Sequence, residues 1–359
     1  MLLKDLKTKS LKEQEIKQNF HDKGKFREPT TTGKGDDRAY VELTNLDTLW
    51  FNTGTRCNLQ CKNCYIESSP TNDELLYITT DEVKTYLDEI RDLELSTKQI
   101  SFTGGEPFLN KDMVPILDLC LERGFNVLVL TNAYRAIDKH FNELDVLNKK
   151  HPGKLTLRIS LDHHTESVHE RERGPKTFNR TLTTMNTLSK MGFKLAVAGR
   201  SLENESRDEA LEGYQSILDE YEVGITVTGG ENIVIFPEMT TDQDVPEITT
   251  DCWDILNIKA ADQMCATERM VVKRKGTDAP VVLPCTLIAY DEQFELGTTL
   301  KESFQKVYLN HPYCAQFCVL GGASCSPLLY FKSKVKFPTS ARRFRAFLNL
   351  EPISAIAAD

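Results

Sequence analysis

The sequence has no apolar run approaching the roughly 18 residues that a membrane-crossing helix requires, so no membrane partner is expected. Its opening, MLLKDLKTKSLKEQEIKQNF, is charged throughout and lacks the apolar core of a secretory signal, which points to a cytoplasmic location. It also lacks an excess of positive charge. Forty-four Lys and Arg stand against 53 Asp and Glu, for a net charge of −9 and a pI near 5.5. That balance argues against a grip on nucleic acid through bulk charge. No internal repeat is visible beyond an alternation of strand-like and helix-like segments. With 40% hydrophobic and 27% charged residues, the 359-residue chain reads as an ordinary globular protein with room for one large core and a smaller appendage.

What the chain does have is cysteine, ten in all. In a reducing compartment that number raises the expectation of metal or redox chemistry rather than disulfides. Eight of the ten fall in two groups: Cys57, Cys61 and Cys64, then Cys265, Cys285, Cys314, Cys318 and Cys325. Cys120 lies in the apolar helical pattern MVPILDLCLERG and reads as a buried core thiol, while Cys252 stands alone.

The first 45 residues are polar and read as a short helix followed by a flexible linker. Six apolar runs follow: LDTLWFN (46–52), KQISFT (98–103), NVLVLT (126–131), LTLRIS (155–160), KLAVAG (194–199) and ENIVIF (231–236). Helical patterns such as TDEVKTYLDEIRDLEL and TFNRTLTTMNTLSKMG separate them. Strands alternating with helices of this length imply βαβ units and a parallel α/β sheet over residues 46–245. Past residue 245 the pattern changes. ERMVVKRKGTDAPVVLPC reads as a β-hairpin, TTLKESFQKVYLNH as a helix, and HPYCAQFCVLGGASCS as a cysteine-rich segment. A small second domain is expected over 246–330, with an unassigned tail over 331–359.

Ligands gather at the carboxyl ends of strands in such sheets. The unusual residues fall there: the triple cysteine after the first run, TGGEP after the second and TNA after the third. SLDHH follows the fourth, Arg200 the fifth and Glu238 the sixth. The spacing C-x3-C-x2-C supplies three thiolates with no fourth beside them. Three thiolates suit a [4Fe–4S] cube whose fourth iron is left open. On spacing alone a zinc site closed by a distant ligand remains an alternative.

CNLQCKNCY followed by FTGGEP and TNA resembles the radical S-adenosylmethionine (SAM) superfamily over about 200 residues. The resemblance implies a partial (β/α)6 barrel of the radical SAM type. It also implies a [4Fe–4S] cluster on Cys57, Cys61 and Cys64, with SAM bound to the open iron. In that family reductive cleavage of SAM yields a 5′-deoxyadenosyl radical that abstracts hydrogen from a substrate. Gly104, Gly105 and Glu106 would line the methionine amino group. Ser160, in a segment like the family's SLD, would approach the ribose or carboxylate, and Arg173 would pair with the carboxylate. Asn132, Tyr65 and Arg200 are further candidate contacts. Asn63 departs from the aromatic residue common before the third cysteine. His163, His164 and His169 read as a polar loop. No catalytic residue of the chain is assigned.

The second cysteine group is similar to the SPASM or shorter twitch extension, a small C-terminal β-hairpin/helix iron–sulfur domain. The resemblance implies one auxiliary [4Fe–4S] cluster on four of the five cysteines. Cys285, Cys314, Cys318 and Cys325 are favoured, with Cys265 as substitute or extra, and the cluster would serve as an electron relay. The implied reaction is oxidation or radical cross-linking of a small molecule or peptide, with a reductase such as flavodoxin or ferredoxin as electron donor. The N-terminal segment is shorter than the peptide-recognition domain of many peptide maturases. A GTP-cyclase-like enzyme of cofactor biosynthesis is one alternative, although its C-terminal double glycine is absent from AIAAD. A non-enzymatic zinc-binding interaction module is the other.

Overall fold

The computed structural model describes residues 11–201, 205–239 and 244–323. Cys325 and the tail over 331–359 lie outside the described residues. In chain order the strands are β1 (Tyr40–Val41), β2 (Thr48–Asn52), β3 (Gln99–Thr103), β4 (Asn126–Thr131), β5 (Leu155–Ser160), β6 (Lys194–Arg200), β7 (Ile233–Phe236), β8 (Glu268–Val272), β9 (Val281–Leu283) and β10 (Val307–Tyr308). The α-helices are α1 (Leu11–Asp22), α2 (Thr80–Asp92), α3 (Met113–Glu122), α4 (Phe141–Lys150), α5 (Glu166–Arg173), α6 (Phe178–Lys190), α7 (Arg207–Glu220) and α8 (Cys252–Ile255). None of the described helices is long and apolar enough to cross a membrane.

Strands β2 to β7 pair in sequence order and all in parallel, with α2 to α7 in the connections. This is the open arrangement of a partial (β/α)6 barrel. Two helices carry complete capping boxes: Thr79 with Glu82 at α2, and Ser206 with Glu209 at α7. Strand periodicity sorts the side chains into two cores. Leu49, Phe51, Ile100, Phe102, Val127, Val129, Leu157 and Val197 face the helices. Trp50, Leu128 and Met270 face the opposite side, toward the C-terminal segment. Cys120 is fully buried in the helix-side core.

Three expectations change. The C-terminal hairpin does not stand apart from the core. β8 pairs in parallel with β2, and β9 pairs antiparallel with β8, so the hairpin extends one eight-stranded sheet. The helix expected over TTLKESFQKVYLNH is replaced by turns and β10. The Glu302 carboxylate takes the backbone N–H groups of Thr298 and Thr299, at 2.8 and 3.1 Å. β10 then pairs with β1, so tertiary pairing overrides the local helical pattern. Nor is the N-terminal linker loose. Arg38 is buried and bonds Glu247 at 2.6 Å, while Ala39 donates its N–H to the Ile248 carbonyl at 2.8 Å.

Candidate active site

The polar loops at the carboxyl ends of β2 to β6 converge on one cavity. It is lined by Cys57, Cys61, Cys64, Tyr65, Gly104, Gly105, Asn132, Ser160, Arg173 and Arg200, among others. Its floor and far wall are apolar, built from Trp50, Leu130, Phe236, Met239, Leu287 and Phe317.

The cysteine loop is held from both ends. Thr53 donates its N–H to the Thr103 carbonyl at 2.8 Å, and Cys57 donates to Ser69 at 3.0 Å. Gly105 and Glu106 donate to the carbonyls of Gly54 and Arg56, at 2.8 and 3.1 Å. A Cβ on Gly105 would stand 2.1 Å from the Arg56 carbonyl oxygen, and one on Gly104 would stand 2.6 Å from that of Gly54. The double glycine is therefore required for the β3 loop to lie against the backbone leading to Cys57. Backbone N–H groups point at two of the sulfurs: Leu59 at Cys57 (3.4 Å) and Ser68 at Cys64 (3.3 Å).

Glu106 sits behind the cavity wall rather than on it. It is 1% exposed and accepts from the Thr131 hydroxyl at 2.8 Å and from the Asn132 N–H at 2.9 Å. Burial pushes its pKa up to about 7, against the hydrogen bonds that lower it. Its carboxylate thus fastens the TNA loop to the double-glycine loop. Asn132 in turn donates to Asn58 at 2.9 Å and reaches the Cys57 sulfur at 3.6 Å. The Tyr65 hydroxyl lies 3.4 Å from Thr103 Oγ1.

Sequence reasoning missed two carboxylates that organise the rim. Asp162 holds Arg173 with two hydrogen bonds, at 2.9 and 3.0 Å. Glu172 accepts from Arg200 at 3.0 Å and from Asn63 at 2.8 Å, tying β6 to the cysteine loop. The signal available was the D of SLD and the E before Arg173. The positive charges of Arg173 and Arg200 bear on Cys61, opposing the burial that raises its pKa. His169 is fully buried, and its Nδ1 accepts the Asp162 N–H at 3.2 Å. Burial, followed by the charge of Arg173, lowers its pKa to about 3 and keeps it neutral.

His163 and His164 both reach Glu205, at 2.9 and 2.8 Å, and the three could in principle form a metal site. The tautomer argues otherwise. His163 Nδ1 accepts the Thr165 N–H at 3.0 Å, so Nε2 carries the proton and is not free to ligate. His164 is hydrogen-bonded to Glu205, and the two imidazole rings stack with centroids 4.1 Å apart.

A second, apolar cavity lies behind the first. Cys265, Cys285, Cys314 and Cys318 all line it, so the thiol held in reserve, Cys265, stands with the favoured three. Burial pushes Cys57 up to about 12 and Cys265 to about 11, and raises Cys314 further. Thiols this buried become thiolates only with a cation to hold them. Four-coordinate zinc, with Zn–S near 2.3 Å, draws its sulfurs to about 4 Å of each other. Among the described residues no three cysteine sulfurs lie mutually within 4.8 Å. Leu287 and Tyr313 line both cavities.

Residues 51–213 match the model of the radical SAM superfamily. The antilisterial bacteriocin subtilosin biosynthesis protein AlbA of Bacillus subtilis is 35% identical over 170 residues, covering 47% of this chain and 35% of AlbA. The Fe-coproporphyrin III synthase of Methanosarcina barkeri is 27% identical over 150 residues, covering 42% of this chain and 35% of the synthase. The chain therefore spans about a third of the length of these curated relatives. Among solved structures, anSMEcpe with bound AdoMet aligns with a TM-score of 0.52 at 15% identity, covering 72% of this chain and 77% of the other. SuiB of Streptococcus suis bound to S-adenosylmethionine aligns with a TM-score of 0.50 at 15% identity, covering 71% and 63%. These two likenesses concern the fold.

Proposed function

We propose that the chain is a radical SAM oxidoreductase acting on the apolar part of a substrate, with a second iron–sulfur cluster taking up an electron. The observation that carries this reading is the convergence of the three clustered cysteines, the double glycine, Asn132, Ser160, Arg173 and Arg200 on one cavity. When bound, a [4Fe–4S] cluster on Cys57, Cys61 and Cys64 and SAM supply the radical that removes hydrogen from the substrate. The chain's own residues position and shield. Gly104 and Gly105 let backbone close on the methionine end. Arg173, oriented by Asp162, and Arg200, oriented by Glu172, offer positive charge to a carboxylate. Trp50, Phe236, Met239 and Phe317 exclude water from the reacting region.

An auxiliary [4Fe–4S] cluster is assigned to Cys265, Cys285, Cys314 and Cys318. Residues next to these ligands, namely Thr286, Leu287, Tyr313 and Phe317, line the substrate cavity. One layer of side chains therefore separates the two sites. With four protein ligands this cluster has no open iron, which suits electron transfer rather than substrate binding. A reductase of the flavodoxin or ferredoxin class would supply the initiating electron. A peptide is favoured over a small molecule, because the relative sharing 35% identity serves bacteriocin biosynthesis.

Anaerobic reconstitution with iron and sulfide, followed by reduction in the presence of SAM, tests the reading. About eight irons per chain and release of 5′-deoxyadenosine are expected. Release that persists in Cys57→Ala overturns the first site, and zinc bound in place of iron overturns the enzyme.

A further inference from the structure

Arg269 stands on β8, four residues after Cys265, and is 1% exposed. Its guanidinium is bound by backbone alone. Nε donates to the Ser303 carbonyl at 3.1 Å, and Nη1 donates to the carbonyls of Cys265 and Glu268, at 2.6 and 2.8 Å. Nη2 is buried without a hydrogen-bond partner among the described residues. A second buried arginine, Arg38, is by contrast paired with Glu247 at 2.6 Å. Burying an uncompensated cation costs several kcal/mol, and carbonyl dipoles offset only part of that. The arrangement makes physical sense if an anion belongs beside it.

Four thiolates around a cube carrying two positive charges make a dianion, and one added electron makes a trianion. A fixed neighbouring cation favours the second state. We propose that Arg269 is the buried counter-charge of the cluster on Cys265, Cys285, Cys314 and Cys318, raising its reduction potential so that it accepts the electron leaving the substrate. The residue acts through the cluster and is a positioning residue. Its hydrogen bond to the Cys265 carbonyl ties the charge to the backbone of that ligand. The inference rests on the auxiliary-cluster reading above. The step concerned moves one electron: the substrate-derived radical is oxidised and the cluster core is reduced by one charge.

The test uses the full chain with Cys57, Cys61 and Cys64 replaced by Ala, so that the auxiliary cluster is the sole one. Its midpoint is read by EPR during titration with dithionite, in this parent and with Arg269→Gln or Arg269→Lys added. The Gln variant is expected to need at least a tenfold stronger reducing poise, a midpoint lower by about 59 mV or more for one electron. The Lys variant, which keeps the charge, stays close to the parent. An unchanged midpoint in the Gln variant overturns the proposal. So do equal shifts in Gln and Lys, or loss of iron from both, since the role is then structural. Loss of iron from the Gln variant alone supports it. A parent without iron overturns the cluster reading itself, and this proposal with it.

Discussion

Arg173 and Asp162 form a two-pronged ion pair beside Cys61, with Nε–Oδ2 at 2.9 Å and Nη2–Oδ1 at 3.0 Å, and both side chains largely buried. Burial alone would raise the Asp162 pKa, but the charge and hydrogen bonds of Arg173 outweigh it and hold the carboxyl ionised. The pair aims a guanidinium at the cavity without leaving it unpaired in the absence of ligand.

Replacing Asp162 with Asn should therefore strand the arginine. The expected loss is about 3–5 kcal/mol in urea unfolding, the range for removing one partner of a buried pair. A change under about 1 kcal/mol, as for an exposed pair, would show that solvent reaches Arg173 freely.

Gly105→Ala should damage the first site selectively. Its Cβ meets carbonyl oxygens of Arg56 and Thr55, at 2.1 and 2.9 Å, and backbone has no flexible end to move aside. Iron content is expected to fall from about eight to about four per chain, with the auxiliary cluster kept. Retention of all the iron with unchanged SAM binding counts against the role given to this loop.

Cys265→Ala should remove the auxiliary cluster. Iron falls to about four per chain while reductive release of 5′-deoxyadenosine continues. Full iron loading in this variant shows that the fourth ligand comes from elsewhere, and Cys325 is then the first residue to test.

Acid should destabilise the fold through His169. The ordinary histidine pKa is 6.5, and in the folded protein burial lowers it to about 3. Between those values the unfolded chain binds the extra proton. Stability is therefore full above pH 6.5 and falls as the pH drops, by up to about 1.4 kcal/mol per unit from this group. His169→Gln keeps an acceptor for the Asp162 N–H and should flatten the slope between pH 6 and about 4. An unchanged slope would assign the acid sensitivity to other groups.

The strand pattern and the strand-end loops were legible because parallel strands announce themselves as short apolar runs, and their carboxyl ends collect polar residues. The Gly104–Gly105 requirement was visible as a motif, but its cause was not. That cause is the approach of the Thr55–Arg56 backbone, about fifty residues earlier in sequence. Glu106 read as a ligand contact because a carboxylate beside glycines suits an ammonium. The structure instead turns it inward to Thr131 and Asn132. The helix expected before Cys314 was overridden by pairing between Tyr40 and Tyr308, separated too widely for local periodicity to register. Arg269 carried no sequence signal, since a lone arginine in ERMVV looks like any surface charge.

The parallel seam between β2 and β8 has a consequence for how the protein can be handled. Thr48 to Phe51 find their outer partners in Glu268 to Val271, residues some two hundred positions downstream. A truncation ending near residue 245 would leave that strand edge open, with Trp50 and Phe51 on it, as a template for pairing between molecules. The catalytic half and the cysteine-rich half should precipitate or misassemble when expressed apart, and are best treated as one cooperative unit.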